Sequence, residues 1–333
     1  MNSRLLSSQG VRVSAIGLGC MAMTGMYGPA DRKESIATIQ AAIDAGITLL
    51  DTGDFYSLGD NEFLIREALG KQCRKDVLLS VKFGELRDPL GGWNGLDARP
   101  RAVKNFLAYS LNRLGTDYID IYRPARLDPE VPIEDSVGAI ADMVKAGYVR
   151  YIGLSEVGVQ TLRRAAGVHP IVDLQIEYSL ISRNVEAQIL AACRDLGIGI
   201  TAYGVLSRGL ISGHWTAERS LQGDSRSRSP RFAAENLPHN LSLVEKLREL
   251  AEGKGISVAQ LAIAWVASKG DDIVPLIGAR RRDQLQEALG ALEVMLTEDD
   301  LARIEKAVPK DAAAGDRYPP QMMAHLDSEG RDG

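Results

Sequence analysis

A chain of 333 residues, 45% hydrophobic and 25% charged, can bury a sizeable core as one large domain or two ordinary ones. Its net charge of −5 and scattered arginines give no basic field for nucleic acid, and no run of about 18 apolar residues is present to cross a membrane. Cys20, Cys73 and Cys193 fit reduced thiols rather than a disulfide framework, four dispersed histidines offer no metal site, and the amino terminus lacks a signal-peptide core, so a cytoplasmic location is expected.

Residues 4–14 form two short strands about a Gln9-Gly10 turn, and 15–20 is a third strand. Strand and helix then alternate. A helix over 32–45 carries Ile36, Ile39 and Ile43 at helical spacing and stops at Gly46; a buried strand, 47–50, and a helix, 61–69, closed by Gly70, come next. The pattern repeats through strand 77–83, helix 99–114, strand 118–122, helix 133–146, strand 151–154, helix 159–166, strand 172–176, helix 185–196 and strand 198–202. An excursion over 207–238, rich in Gly, Ser, Arg and Pro, precedes helices 240–254 and 257–269, strand 273–277 and helix 282–289.

Eight such units without a composition break predict an α/β fold, a (β/α)8 TIM barrel, forming one domain over 1–308 with the amino-terminal hairpin plugging its bottom and an extra helix at 297–307. The tail, 309–333, reads as loop and candidate lid. A doubly wound open sheet is the runner-up, but Gly17-Leu18-Gly19 lacks the third glycine of its phosphate turn.

In a barrel the ligand side is the carboxyl end of the strands. Those ends present Asp51 with Tyr56, Lys82, Arg123 with Ala125, Ser155 with Glu156, Gln175, Tyr203, and Gly278 with Arg280. Singly, each has a plainer reading: Asp51 a turn former, Tyr56 a half-buried aromatic, Lys82 a side chain snorkelling to water. Together they make a chemical set, because an ammonium beside a phenol lowers the phenol's pKa while a carboxylate keeps the ammonium in place. Tyr56 is then a usable general acid.

Asp51-x4-Tyr56, Lys82 and Gly153-Leu154-Ser155-Glu156 resemble the aldo-keto reductases, and the resemblance runs from the hairpin to about residue 308. It implies a barrel that binds NADPH without a Rossmann fold and reduces a small aldehyde or ketone, with Tyr56 as proton donor tuned by Lys82 and Asp51. Ser155 and Gln175 match residues that bind the nicotinamide carboxamide, and Tyr203 matches the aromatic stacked on that ring. Gly204, Leu206, Ser207, Arg208 and Gly209 match the loop contacting the pyrophosphate, where backbone N–H groups and one arginine suit an anion. Gly278, Arg280, Gln284 and Glu287 fall on the final strand and helix start, where Arg280 would meet the 2′-phosphate and Glu287 the adenine.

The family's catalytic histidine on the fourth barrel strand is absent, and Ala125 stands in its place. Two repairs are open: Arg123, two residues earlier and on the same strand face, donates to the substrate oxygen, or water fills the space. Potassium-channel β subunits resemble this family and also lack the histidine. They suggest a third outcome, a low-turnover NADPH-binding regulatory or redox-sensing module. Substrate walls are expected from 25–29, from 84–95 with Trp93, from the excursion with His214 and Trp215, and from the tail near Tyr318 and Met322, although either tryptophan taken alone reads sooner as an anchor for its own loop.

Overall fold

The chain enters through an antiparallel hairpin, β1 (Ser3–Leu5) and β2 (Arg12–Ser14), in a computed structural model that describes residues 1–70, 74–216, 219, 221–222 and 224–330. Cys73 lies outside the described residues. Behind the hairpin come β3 (Gly17–Gly19), helix α1 (Arg32–Asp44), β4 (Leu49–Gly53), α2 (Asp60–Leu69) and β5 (Leu78–Phe83). A small hairpin, β6 (Glu85–Arg87) and β7 (Trp93–Leu96), precedes α3 (Pro100–Leu114), β8 (Ile119–Pro124), α4 (Ile133–Lys145), β9 (Val149–Ser155), α5 (Val159–Val168) and β10 (Ile171–Glu177). The remainder is α6 (Ile189–Asp195), β11 (Gly199–Tyr203), α7 (Leu237–Glu252), α8 (Val258–Ala267), β12 (Ile273–Gly278), α9 (Arg282–Gly290), α10 (Glu298–Ala307) and α11 (Pro320–Met323).

Eight of the strands close a parallel barrel in the order β3-β4-β5-β8-β9-β10-β11-β12, with β12 pairing back to β3. This is the (β/α)8 architecture that the alternation predicts, and each strand delivers its last inward side chain to the same end. The helices start and stop where the sequence allows. Asp31 accepts from the Glu34 N–H ahead of α1, Ser257 and Gln260 form a reciprocal cap on α8, and Gly115 at φ 64° ends α3.

The amino-terminal hairpin seals the opposite end: Leu6, Val11 and Val13 pack with Leu49, Ile121, Val172 and Val274. Gly199 permits the approach, since a Cβ there would lie 1.6 Å from the Leu6 carbonyl oxygen.

Three segments differ from expectation. The stretch 84–95 is not simple loop but carries the β6–β7 pair. The helix expected over 185–196 is split into a 3-10 turn, Asn184–Glu186, and α6, because Gln188 leaves helical geometry at φ −138°. The tail, expected as loop, carries α11 and a 3-10 turn, Asp327–Glu329, and is tied to the barrel: Asp327 accepts from the Gly158 N–H at 2.7 Å, and the Ser328 N–H donates to the Glu156 carbonyl at 3.1 Å. Among the described residues no helix is long and apolar enough to cross a membrane.

Candidate active site

Leu49 and Leu50 are fully buried, so β4 is fixed by its apolar start and presents Asp51, 3% exposed, inside the barrel mouth. All the polar neighbours of Asp51 come from other strands. Lys82 from β5 pairs with its Oδ1, while Ser80 Oγ donates to Oδ2 at 2.8 Å and Gln175 Nε2 donates to the same oxygen at 2.7 Å. A carboxylate that collects three donors in a dry site is fixed in orientation, with its charge answered from both oxygens.

Tyr56 opens a 3-10 turn after β4 and is 8% exposed, its ring edge-on to Phe55 at 4.9 Å and packed with Ala125 and Met21. The Lys82 ammonium lies 5.2 Å from the Tyr56 ring centroid. Burial pushes the Tyr56 phenol well above its ordinary range, with the Asp51 charge adding to the rise. The lowering expected from Lys82 is outweighed by this burial, and Lys82 is itself engaged by Asp51, with burial pulling the ammonium below its ordinary value. The consequence favours an acid: Tyr56 stays protonated throughout the neutral range.

Arg123 is also corrected. It projects into the barrel, but it is fully buried, with Nη1 on Asp173 at 2.9 Å and Nη2 on Ser80 Oγ at 2.9 Å. Asp173 and Ser80 hold the guanidinium, which reaches Asp51 through Ser80. The arginine whose charge bears on Tyr56 is Arg126, one residue beyond Ala125, which sequence reasoning passed over.

Ser155 ends β9 with a buried Oγ that has no partner, an orphan donor and acceptor at the mouth. Gln175, expected on a nicotinamide carboxamide, is turned to Asp51. Tyr203 ends β11, and its hydroxyl donates to Glu156 Oε1 at 2.7 Å and lies 3.1 Å from the Tyr318 hydroxyl. Beyond Gly204 and Leu206, three successive residues, Ser207, Arg208 and Gly209, take positive φ, a backbone concavity suited to an anion. Arg208 donates to Ser229 Oγ at 3.0 Å and its guanidinium lies 4.4 Å from the Tyr318 ring.

At the next strand end, Gly278 is exposed and the Arg280 guanidinium bonds the carbonyls of Tyr27, Gly28 and Pro29 at 3.1, 3.3 and 3.1 Å. Gln284 accepts from the Arg280 N–H at 3.1 Å, and Glu287 pairs with His214 at 3.0 Å. Arg226 joins this group, bonded to Asp224 and to the Arg208 carbonyl. Arg219 and Arg226 flank the Trp215 ring at 4.5 and 4.8 Å. Trp215 is thus 6% exposed and packs against Phe232, as expected of an anchor for its own loop.

A cleft of about 500 Å³ opens beside Phe55, lined by Met26, Leu58, Arg87, Ser225 and Arg228 among others. A second cavity of about 380 Å³ lies under the tail, between Glu177, Arg183, Arg231 and Arg317. Glu156, at φ 54° and fully buried, is gripped by Arg317 of the tail at 2.8 and 2.6 Å. Burial alone would raise Glu156, but Arg317 holds it well below the ordinary carboxylate range. Neither Arg317 nor its partnership was legible, since 161 residues separate the pair.

A closed parallel barrel with a carboxylate, ammonium and phenol at its mouth defines a class of barrel oxidoreductases. Residues 15–309 match the aldo/keto reductase family, and the chain belongs to it. It is 40% identical over 314 residues to a probable aldo-keto reductase 1 of Glycine max, covering 94% of this chain and 90% of that protein. It is 39% identical over 317 residues to the NADP(+) aldo-keto reductase yakc of Schizosaccharomyces pombe, covering 92% of each. Among solved structures it resembles the glycerol dehydrogenase AKR11B4 of Gluconobacter oxydans, at 25% identity and a TM-score of 0.83 over 98% of this chain and 96% of that one. The thermostable aldo-keto reductase Tm1743, solved with the inhibitor epalrestat, aligns at 26% identity and a TM-score of 0.74 over 92% of this chain and 100% of that one.

Proposed function

We propose that the protein is an NADPH-dependent oxidoreductase that reduces the carbonyl of a small aldehyde or ketone, with Tyr56 as the proton donor. The observation that carries this reading is the placement of a protonated, buried Tyr56 beside a Lys82–Asp51 pair whose carboxylate is saturated by Ser80 and Gln175. The family membership and the name of the fission-yeast relative support an NADP-linked oxidoreductase.

The residues fit the cofactor. Ser155 offers an unpartnered buried hydroxyl for a carboxamide, Tyr203 an aromatic face, and the positive-φ run at Ser207–Gly209 with Arg208 a seat for pyrophosphate. Arg280 and Gln284, at the start of α9, would hold the 2′-phosphate end, with Glu287 at the adenine. When bound, NADPH supplies the hydride.

Tyr56 then delivers its proton to the oxygen as negative charge develops there, and the Lys82 charge stabilises the phenolate left behind. Asp51 keeps Lys82 aimed, and Arg123 fixes Asp51 through Ser80. The barrel, 1–308, acts as one domain with the tail as a lid, in the cytoplasm, where the reduced and buried Cys20 and Cys193 are at home.

Ala125, beside Tyr56, favours a second reading, a cofactor-binding module with little turnover. NADPH oxidation against a panel of aldehydes separates the two. Turnover that falls by about a hundredfold or more in Tyr56→Phe, with NADPH affinity kept, is expected of the enzyme. Tight NADPH binding without turnover of any aldehyde would sink the reductase reading.

A further inference from the structure

Arginines in this protein are heavily engaged wherever they are buried. Arg317 bonds Glu156, Glu177, Glu329 and Ser328; Arg231 bonds Glu177, Ser182 and Ile181; Arg123 bonds Asp173, Ser80 and Leu154. Arg126 does not obey this rule. It donates to the neighbouring Ala125 carbonyl at 2.6 Å and its guanidinium stands 5.9 Å from the Tyr318 ring, with no ion pair among the described residues. The carboxylates whose charge reaches it, Glu156 and Glu85, are held by Arg317 and Arg87.

An arginine that is half-buried and lacks a counter-ion is a costly arrangement unless an anion completes it. The place is telling, because Arg126 comes directly after Ala125, which packs against Tyr56. The cleft beside Phe55 has the same bias. Of its charged residues, Arg87 is paired with Glu85 and Asp224 with Arg226, while Arg228 has no ion pair among the described residues. Its unbalanced charge is therefore positive, which draws anions toward the opening.

We propose that Arg126 is the receptor for an anionic group of the carbonyl substrate, so that the preferred substrates are aldehydes or ketones bearing a carboxylate. The planar guanidinium fork matches a carboxylate in two parallel hydrogen bonds. The cofactor does not supply this anion in the proposed arrangement, since its phosphates fall at Arg208 and Arg280 and its nicotinamide at Tyr203. The proposal rests on the reductase reading for its substrate but not for its binding site.

The test compares kcat/KM for 4-carboxybenzaldehyde and its methyl ester with NADPH. The wild type is expected to prefer the acid by at least about tenfold, the gain lying in KM. Arg126→Met should lose the preference and Arg126→Lys keep part of it, with near-UV circular dichroism reporting that each variant folds. Equal kcat/KM for acid and ester in the wild type overturns the proposal, as does a preference that survives in Arg126→Met. If neither aldehyde is turned over, the reductase reading fails, and calorimetric titration of the NADPH-loaded protein with 4-carboxybenzyl alcohol decides the Arg126 site. Saturable binding lost in Arg126→Met supports it, and the absence of binding to the wild type overturns it.

Discussion

Ala125 and Asp54 are the two residues near Tyr56 whose chemistry departs most from what the strand ends lead one to expect. Ala125, just beyond β8, sets a methyl rather than a hydrogen-bonding side chain against Tyr56, so Ala125→His should raise kcat several-fold in the aldehyde assay; unchanged turnover would show that another group already orients the carbonyl. Asp54 is a structural liability. It is 6% exposed with an unpartnered Oδ2, and burial, then Glu62, raises its pKa well above the ordinary value. The folded protein thus holds a proton that the unfolded chain has released, so stability falls as pH rises from the unfolded value of 3.8 through the folded one. Asp54→Asn should match the wild type in melting temperature at about pH 4 and exceed it by a few degrees at about pH 8. A constant difference across that range would mean that Asp54 is not buried as the neutral acid.

At the scale of elements, the barrel strands were legible because each is an apolar run of strand length bounded by a helix stop and a polar end. Asp51, Lys82, Ser155, Gln175 and Tyr203 could be named for the same reason, since the carboxyl end of a strand is a position in sequence as well as in space. What depends on contacts distant in sequence was not legible. Glu85-Leu86-Arg87 alternates over only three residues, too short to mark the β6–β7 hairpin, and the direction of the Arg123 guanidinium depends on Asp173, a partner 50 residues away. The hairpin at the barrel's sealed end can be tested in the same terms. Gly199 meets the Leu6 carbonyl so closely that Gly199→Ala must displace β1–β2, at a cost of about 1–3 kcal/mol in urea unfolding. A neutral effect would show that the hairpin is not pressed against β11.

Across the whole molecule, the tail is joined to the barrel by one ionic knot. Arg317 reaches Glu156 at the end of β9, Glu177 at the end of β10 and Glu329 within the tail, and Tyr318 lies over Tyr203 and Arg208. The groups proposed for the nicotinamide and the pyrophosphate therefore share contacts with residues that could close over them. Because Arg317 depresses Glu156, the pair contributes stability that is fully present above the unfolded value of 4.5 and is lost as pH falls through the folded one. Arg317→Ala leaves Glu156 buried without its cation, so unfolding at neutral pH should cost about 3–5 kcal/mol less than in the wild type. Acid relieves the unpaired carboxylate, and the gap should narrow as the pH approaches about 4. Adding Glu156→Gln to Arg317→Ala removes the charge altogether and should recover part of the loss at neutral pH. If the double variant were no more stable than Arg317→Ala, the tail would be held by its packing, and the Glu156 charge would not be what Arg317 answers.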